Sequence, residues 1–150
     1  MSEYTNINGT DGTTEIKLWI RNGINKEAVL YSDDFGNILA NDLSTKDKKD
    51  KEELSTNQIR NVFGEVRRIQ MRMDDWPKIE SSVLLLKPKL AYAAKRAKSA
   101  TALALKEVLS SGLDEVIEAE TEDEKKKRFL NFVDFFEAVL AYHKAYGGKD

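Results

Sequence analysis

Phe129-Leu130-Asn131-Phe132-Val133-Asp134-Phe135-Phe136-Glu137-Ala138-Val139-Leu140-Ala141-Tyr142-His143 is the stretch that decides the fold. Phe129, Phe132, Val133, Phe136, Val139, Leu140 and His143 recur at three- and four-residue steps, which places them on one broad stripe of an α-helix. So many aromatics on one helix mark it as the centre of a core. Thr121 followed by Glu124 forms a capping-box pattern at its start, where the helix dipole favours acids. Gly147-Gly148 supplies the C-terminal stop.

Upstream, Ser55 with Gln58 is a second capping box, opening a helix whose Ile59, Val62, Phe63, Val66, Ile69 and Met73 share one stripe. Arg60 and Arg67 fall together on its opposite side, with Arg68 and Arg72 further round. Asp74 or Asp75 can cap the next helix, which has Pro77 in its first turn and turns Ile79, Val83, Leu84 and Leu86 inward. Pro88 removes a backbone donor and disfavours helical geometry at Lys87, so a kink or a fresh helix start is expected there. Ser99 to Ala119 reads as a further helix, disturbed at Gly112.

The segment before Ser55 is less regular. Ile16, Leu18 and Ile20 alternate with Lys17, Trp19 and Arg21 in a strand-like period that Asn22-Gly23 stops, and Asn25 can cap a short helix through Leu30. Ser44 to Glu53 is nearly all charge and reads as a linker. The expected fold is therefore all-α: a single bundle of about five helices over residues 55–150, with an N-terminal extension and charged linker over 1–54.

Composition narrows the function classes. A chain of 150 residues suits one main domain, and 33% charged with 41% hydrophobic residues fits a soluble globular body. The absence of cysteine excludes disulfides and thiolate metal sites, and the longest apolar runs are too short for a bilayer, so the expected location is cytoplasmic, without a membrane partner. No nucleophile–base pair, glycine-rich phosphate loop or convergent carboxylate cluster is visible, so the expectation is no catalytic residue, no metal and no cofactor. His143, the single histidine, reads as a core or interface residue on an apolar face, and Asp74-Asp75 as helix capping.

Net charge is only −2, but its distribution is lopsided. Ser81 to Lys106 holds six lysines and arginines and no acid, whereas Val108 to Glu124 holds seven acids and no base. Such polarity suits a polyanion ligand or head-to-tail stacking of identical copies. A face of Lys89, Tyr92, Lys95 and Arg96, joined by Lys87 and by Arg60, Arg67 and Arg68, can hold a sugar–phosphate backbone through charge-assisted hydrogen bonds without reading bases. Tyr92 can stack on a base or ribose, or tuck against the bundle with its hydroxyl in water. Three or four phosphates per copy on a single strand correspond to a salt slope of roughly −2 to −3, weak for one copy and strong for several side by side.

These residues also carry a family resemblance. Ser55-Thr56-Asn57-Gln58-Ile59-Arg60, Leu84-Leu85-Leu86-Lys87-Pro88-Lys89-Leu90-Ala91-Tyr92-Ala93-Ala94-Lys95-Arg96 and the run from Phe132 to Lys149 together resemble the small subunit of the type III-A CRISPR effector, the Csm complex. The resemblance implies a non-catalytic helical subunit in several copies, stacked with other Csm subunits and contacting the backbone of target RNA paired with crRNA in antiviral defence. By matched position it implies that Arg60, Lys87, Lys89, Tyr92 and Arg96 line the RNA, with Arg67 and Lys95 beside them. Relatives often carry glycine just before the arginine, where this chain has Lys95, and the segment before Ser55 is longer than the family core needs. The alternative from a different class is a protein-only interaction module that self-associates through opposite-charge faces. A small hydrolase would require turnover dependent on a divalent metal.

Overall fold

The computed structural model describes residues 6–7, 10–11, 13–41, 56–97 and 100–147. Among them are six helices: α1 (Thr13–Asn22), α2 (Lys26–Asn41), α3 (Thr56–Gln70), α4 (Trp76–Ala97), α5 (Ala100–Ile117) and α6 (Glu122–Ala145). Two two-residue strands, β1 (Asn6–Ile7) and β2 (Thr10–Asp11), pair antiparallel ahead of them. The Ser55–Gln58 capping box, Ile59 and the charged linker lie outside the residues described at side-chain level.

The α6 helix starts where the sequence places it. Thr121 accepts a hydrogen bond from the backbone N–H of Glu124 at 3.1 Å, while the Glu124 carboxylate turns to Arg128 at 3.2 Å. At the other end Gly147 takes a φ of 88° and its N–H reaches the Lys144 carbonyl at 3.0 Å. The expected stripe is buried, with Leu140 partly so. Phe135 is buried as well: its ring stacks on Tyr31 and tilts against Trp19, each about 6 Å away. The α6 helix is thus surrounded, packing on α1, α2, α3 and α5, and its aromatic ladder continues through Phe63–Phe136 and Trp76–Phe129 contacts.

The N-terminal residues behave differently from the strand-like reading. Ile16, Leu18 and Ile20 lie on helix α1, where Ile16, Trp19 and Ile20 are buried and Leu18 is 42% exposed. The true period is i, i+3, i+4, with Trp19 as the member that the alternation concealed. The Asn131 side-chain amide donates to the Ile20 carbonyl at 2.9 Å, satisfying one of the carbonyls left open at the helix end. Asn25 does cap α2, accepting from the Ala28 N–H at 2.9 Å, but that helix continues past Leu30 to Asn41. It buries Ala28, Tyr31, Phe35 and Leu39 in the same core as α6. Within the N-terminal 54 residues, α1 and α2 therefore pack on α5 and α6.

At two other positions where an interruption is expected, the helix continues. The α4 helix runs from Trp76 to Ala97 with Pro88 inside it. Pro88 is exposed and sits on the side away from the buried residues Ile79, Val83, Leu86 and Leu90, so the carbonyl it leaves unpaired one turn earlier faces water. The α5 helix likewise passes through Gly112, where an added Cβ would meet Ile20 of α1 and Phe132 of α6 at ordinary contact distances of 3.4 to 3.8 Å.

Candidate nucleic-acid interface

The α3 and α4 helices are joined through a short connection that includes a 3₁₀ turn, Met73–Asp75, so they pack side by side as an antiparallel pair. On α4 the core arc is occupied by Ile79, Val83, Leu86, Leu90 and Ala94. Lys89, Tyr92 and Arg96 follow one another at i, i+3 and i+7 on a solvent-facing arc that flanks the core arc on the α3 side. Tyr92 is 65% exposed, which places its ring in solvent and not against the bundle. The Arg96 guanidinium lies over that ring, 5.9 Å from its centroid. An aromatic face and a cation are thereby presented together.

The other expected site residues are distributed around the two helices. Lys87 is two residues from Lys89, about 160° round the helix, and its ammonium pairs with Asp114 on α5. Lys95 is exposed on α4, to one side of the Lys89 stripe. Arg60 and Arg67 are exposed on the flank of α3 away from the Arg68 side. Arg67 stacks over Phe63 at 5.4 Å, hydrogen-bonds Gln70 at 2.9 Å and lies near Asp134 of α6. Desolvation, then Glu137, raises the Asp134 carboxyl above its ordinary range, and Arg67 opposes that rise. Arg60, Lys95 and Arg96 form no ion pair among the described residues.

One carboxylate joins the two helices at the stripe. Glu65 on α3 pairs through Oε1 with Arg68 at 2.7 Å and through Oε2 with Lys89 at 3.5 Å. The i−3 spacing of Glu65 to Arg68 signals the first contact in the sequence, but the second is tertiary and has no local signature.

The acid-rich end is organised otherwise. Glu115 is 1% exposed, and its Oε1 receives Arg21 Nε at 2.6 Å and Arg128 Nη1 at 3.3 Å. The hydrogen bond and charge of Glu115 raise the Arg21 pKa further above its already high value. Glu118, Glu120, Thr121 and Glu124 open around this pair as a polar cleft of about 420 Å³. Among the described residues no group of three or more His, Asp or Glu side chains could hold a metal ion.

Comparison with family models matches residues 32–149 to Csm2 type III-A, from the middle of α2 through the end of α6. The chain belongs to the Csm2 family. Csm2 is the non-catalytic small subunit of the type III-A CRISPR effector complex, and membership implies association with the other Csm subunits. Comparisons with curated proteins and with solved structures gave no match. The Csm2 match begins inside α2, which agrees with that helix packing into the shared core. No helix among the described residues is long and apolar enough to cross a membrane.

Proposed function

We propose that this Csm2-family chain contacts the phosphate backbone of target RNA paired with crRNA, in several copies stacked along the complex in the cytoplasm. The observation that carries the proposal is the exposed stripe of Lys89, Tyr92 and Arg96 with its cation-over-ring pair. Ammonium and guanidinium groups on one helix face can each meet phosphate oxygens through charge-assisted hydrogen bonds, and backbone contacts hold any sequence. Arg60, Arg67 and Lys95 extend the basic surface on either flank, whereas Lys87 faces Asp114 on the other side of α4 and stands apart from the stripe. The test is Lys89→Glu with Arg96→Glu in the reconstituted complex. Both positions are exposed, so circular dichroism should be unchanged while affinity for target RNA falls. Unchanged affinity would remove the site assignment.

The second reading is self-association through opposite charges. It is favoured by the exposed Glu118, Glu120, Glu122 and Asp123 around the start of α6, far in sequence from the basic stripe. Oligomers that dissolve with salt and ignore added RNA would support it over RNA contact.

A further inference from the structure

We infer that Glu65 is an internal stand-in for phosphate, occupying the cations of the α3–α4 face until RNA displaces it. The inference rests on the RNA-backbone reading above and deepens it by naming the residue that sets the affinity. A carboxylate and a phosphodiester carry the same single negative charge on two free oxygens. Glu65 uses one oxygen for Arg68 at 2.7 Å and the other for Lys89 at 3.5 Å, so it bridges two helices as an incoming backbone phosphate would. All three side chains are open to solvent, at 68% for Arg68, 38% for Glu65 and 54% for Lys89. Exposed pairs of this kind are weak and exchange readily. The contrast within the molecule is Glu115, whose side chain is 2% exposed between Arg21 and Arg128 and cannot be exchanged without opening the core.

Two consequences follow from the exchange. The cations are held in place before RNA arrives, and each phosphate entering between them must evict a like charge. Glu65 therefore lowers the affinity of each copy and eases release. Removing its charge while keeping its shape, in Glu65→Gln, should tighten binding about two- to five-fold, the range set by exposed ion pairs. It should also steepen the dependence of log K on log salt by about 0.7, one further phosphate contact on a single strand.

The experiment is fluorescence anisotropy of a labelled, mixed-sequence single-stranded RNA with the full chain at low and rising salt. Parent, Glu65→Gln, Glu118→Gln and the Lys89→Glu/Arg96→Glu double variant are compared. Glu118 is exposed at the acid-rich end, so its variant makes the same change in net charge away from the stripe. The expected result is tighter, more salt-sensitive binding for Glu65→Gln and little change for Glu118→Gln. Equal gains in both variants, or a loss in Glu65→Gln, would overturn the inference while leaving the RNA reading intact, provided the double variant binds more weakly than the parent. A double variant that binds like the parent would overturn the RNA reading itself.

Discussion

Replacing Gly36 by alanine should destabilise the bundle, although the same change at Gly64 should stabilise it. A Cβ at position 36 would stand 2.6 Å from Tyr142 Cβ, 2.8 Å from the His143 nitrogen and 2.9 Å from the Tyr142 carbonyl carbon. Ordinary contact begins near 3.4 Å, so α2 and α6 would have to part by several tenths of an ångström or more, and the opposing atoms are backbone and Cβ with no rotamer to yield. Overpacking of this kind costs about 3 kcal/mol at the upper end of its usual range. Alanine returns about 1 kcal/mol of helix propensity, leaving a net loss of about 2 kcal/mol. At Gly64 the nearest atom is the flexible Arg68 Nη2 at 3.8 Å, so only the propensity gain remains. For a domain of this size those values correspond to a melting temperature lower by about 4–8 °C for Gly36→Ala and higher by about 2–4 °C for Gly64→Ala. Thermal and urea unfolding followed by circular dichroism measure both. If Gly36→Ala proves as stable as the parent or more so, the close α2–α6 crossing is wrong.

Other expectations concern charge. Arg128→Met should cost about 3 kcal/mol, because it strips Glu115 of one of two arginines in a buried site while Arg21 stays. Arg21→Met should cost less, since Arg21 is half exposed; urea midpoints in the reverse order would contradict the placement of Glu115. Glu80 is held below the usual carboxylate range by the Lys125 ammonium at 2.6 Å. A depressed folded pKa contributes stability that is complete above the unfolded value and lost as pH falls through the folded one. The gap in melting temperature between parent and Glu80→Gln should thus be widest near neutrality and close in acid; a gap independent of pH would refute the pairing.

The parts of this fold that could be read from the chain were those in which one helix carries its own pattern. The α6 stripe, its Thr121 cap and its Gly147 stop are all local, and they held. Phe135 escaped because it lies off that stripe and packs on Trp19 and Tyr31, helices whose own signal was weak. In α1 the apolar alternation masked the helical triple of Ile16, Trp19 and Ile20. Pro88 was read as a kink or a fresh helix start because local sterics say so; no fresh start occurs there, since its exposed position lets the helix continue. At the candidate site, Lys89, Tyr92 and Arg96 could be grouped by period alone. Lys87 could not be placed, because its partner Asp114 is on another helix, and the Glu65 bridge to Lys89 is a product of α3–α4 packing.

The most direct test is to crosslink target RNA by ultraviolet light in the assembled complex and map the adducts after trypsin digestion. Contact with the α4 stripe predicts adducts on the peptide Leu90–Lys95, which carries Tyr92, with yields that persist when the target and guide sequences are changed together. Adducts absent from that peptide and found instead at the acid-rich start of α6 would contradict it.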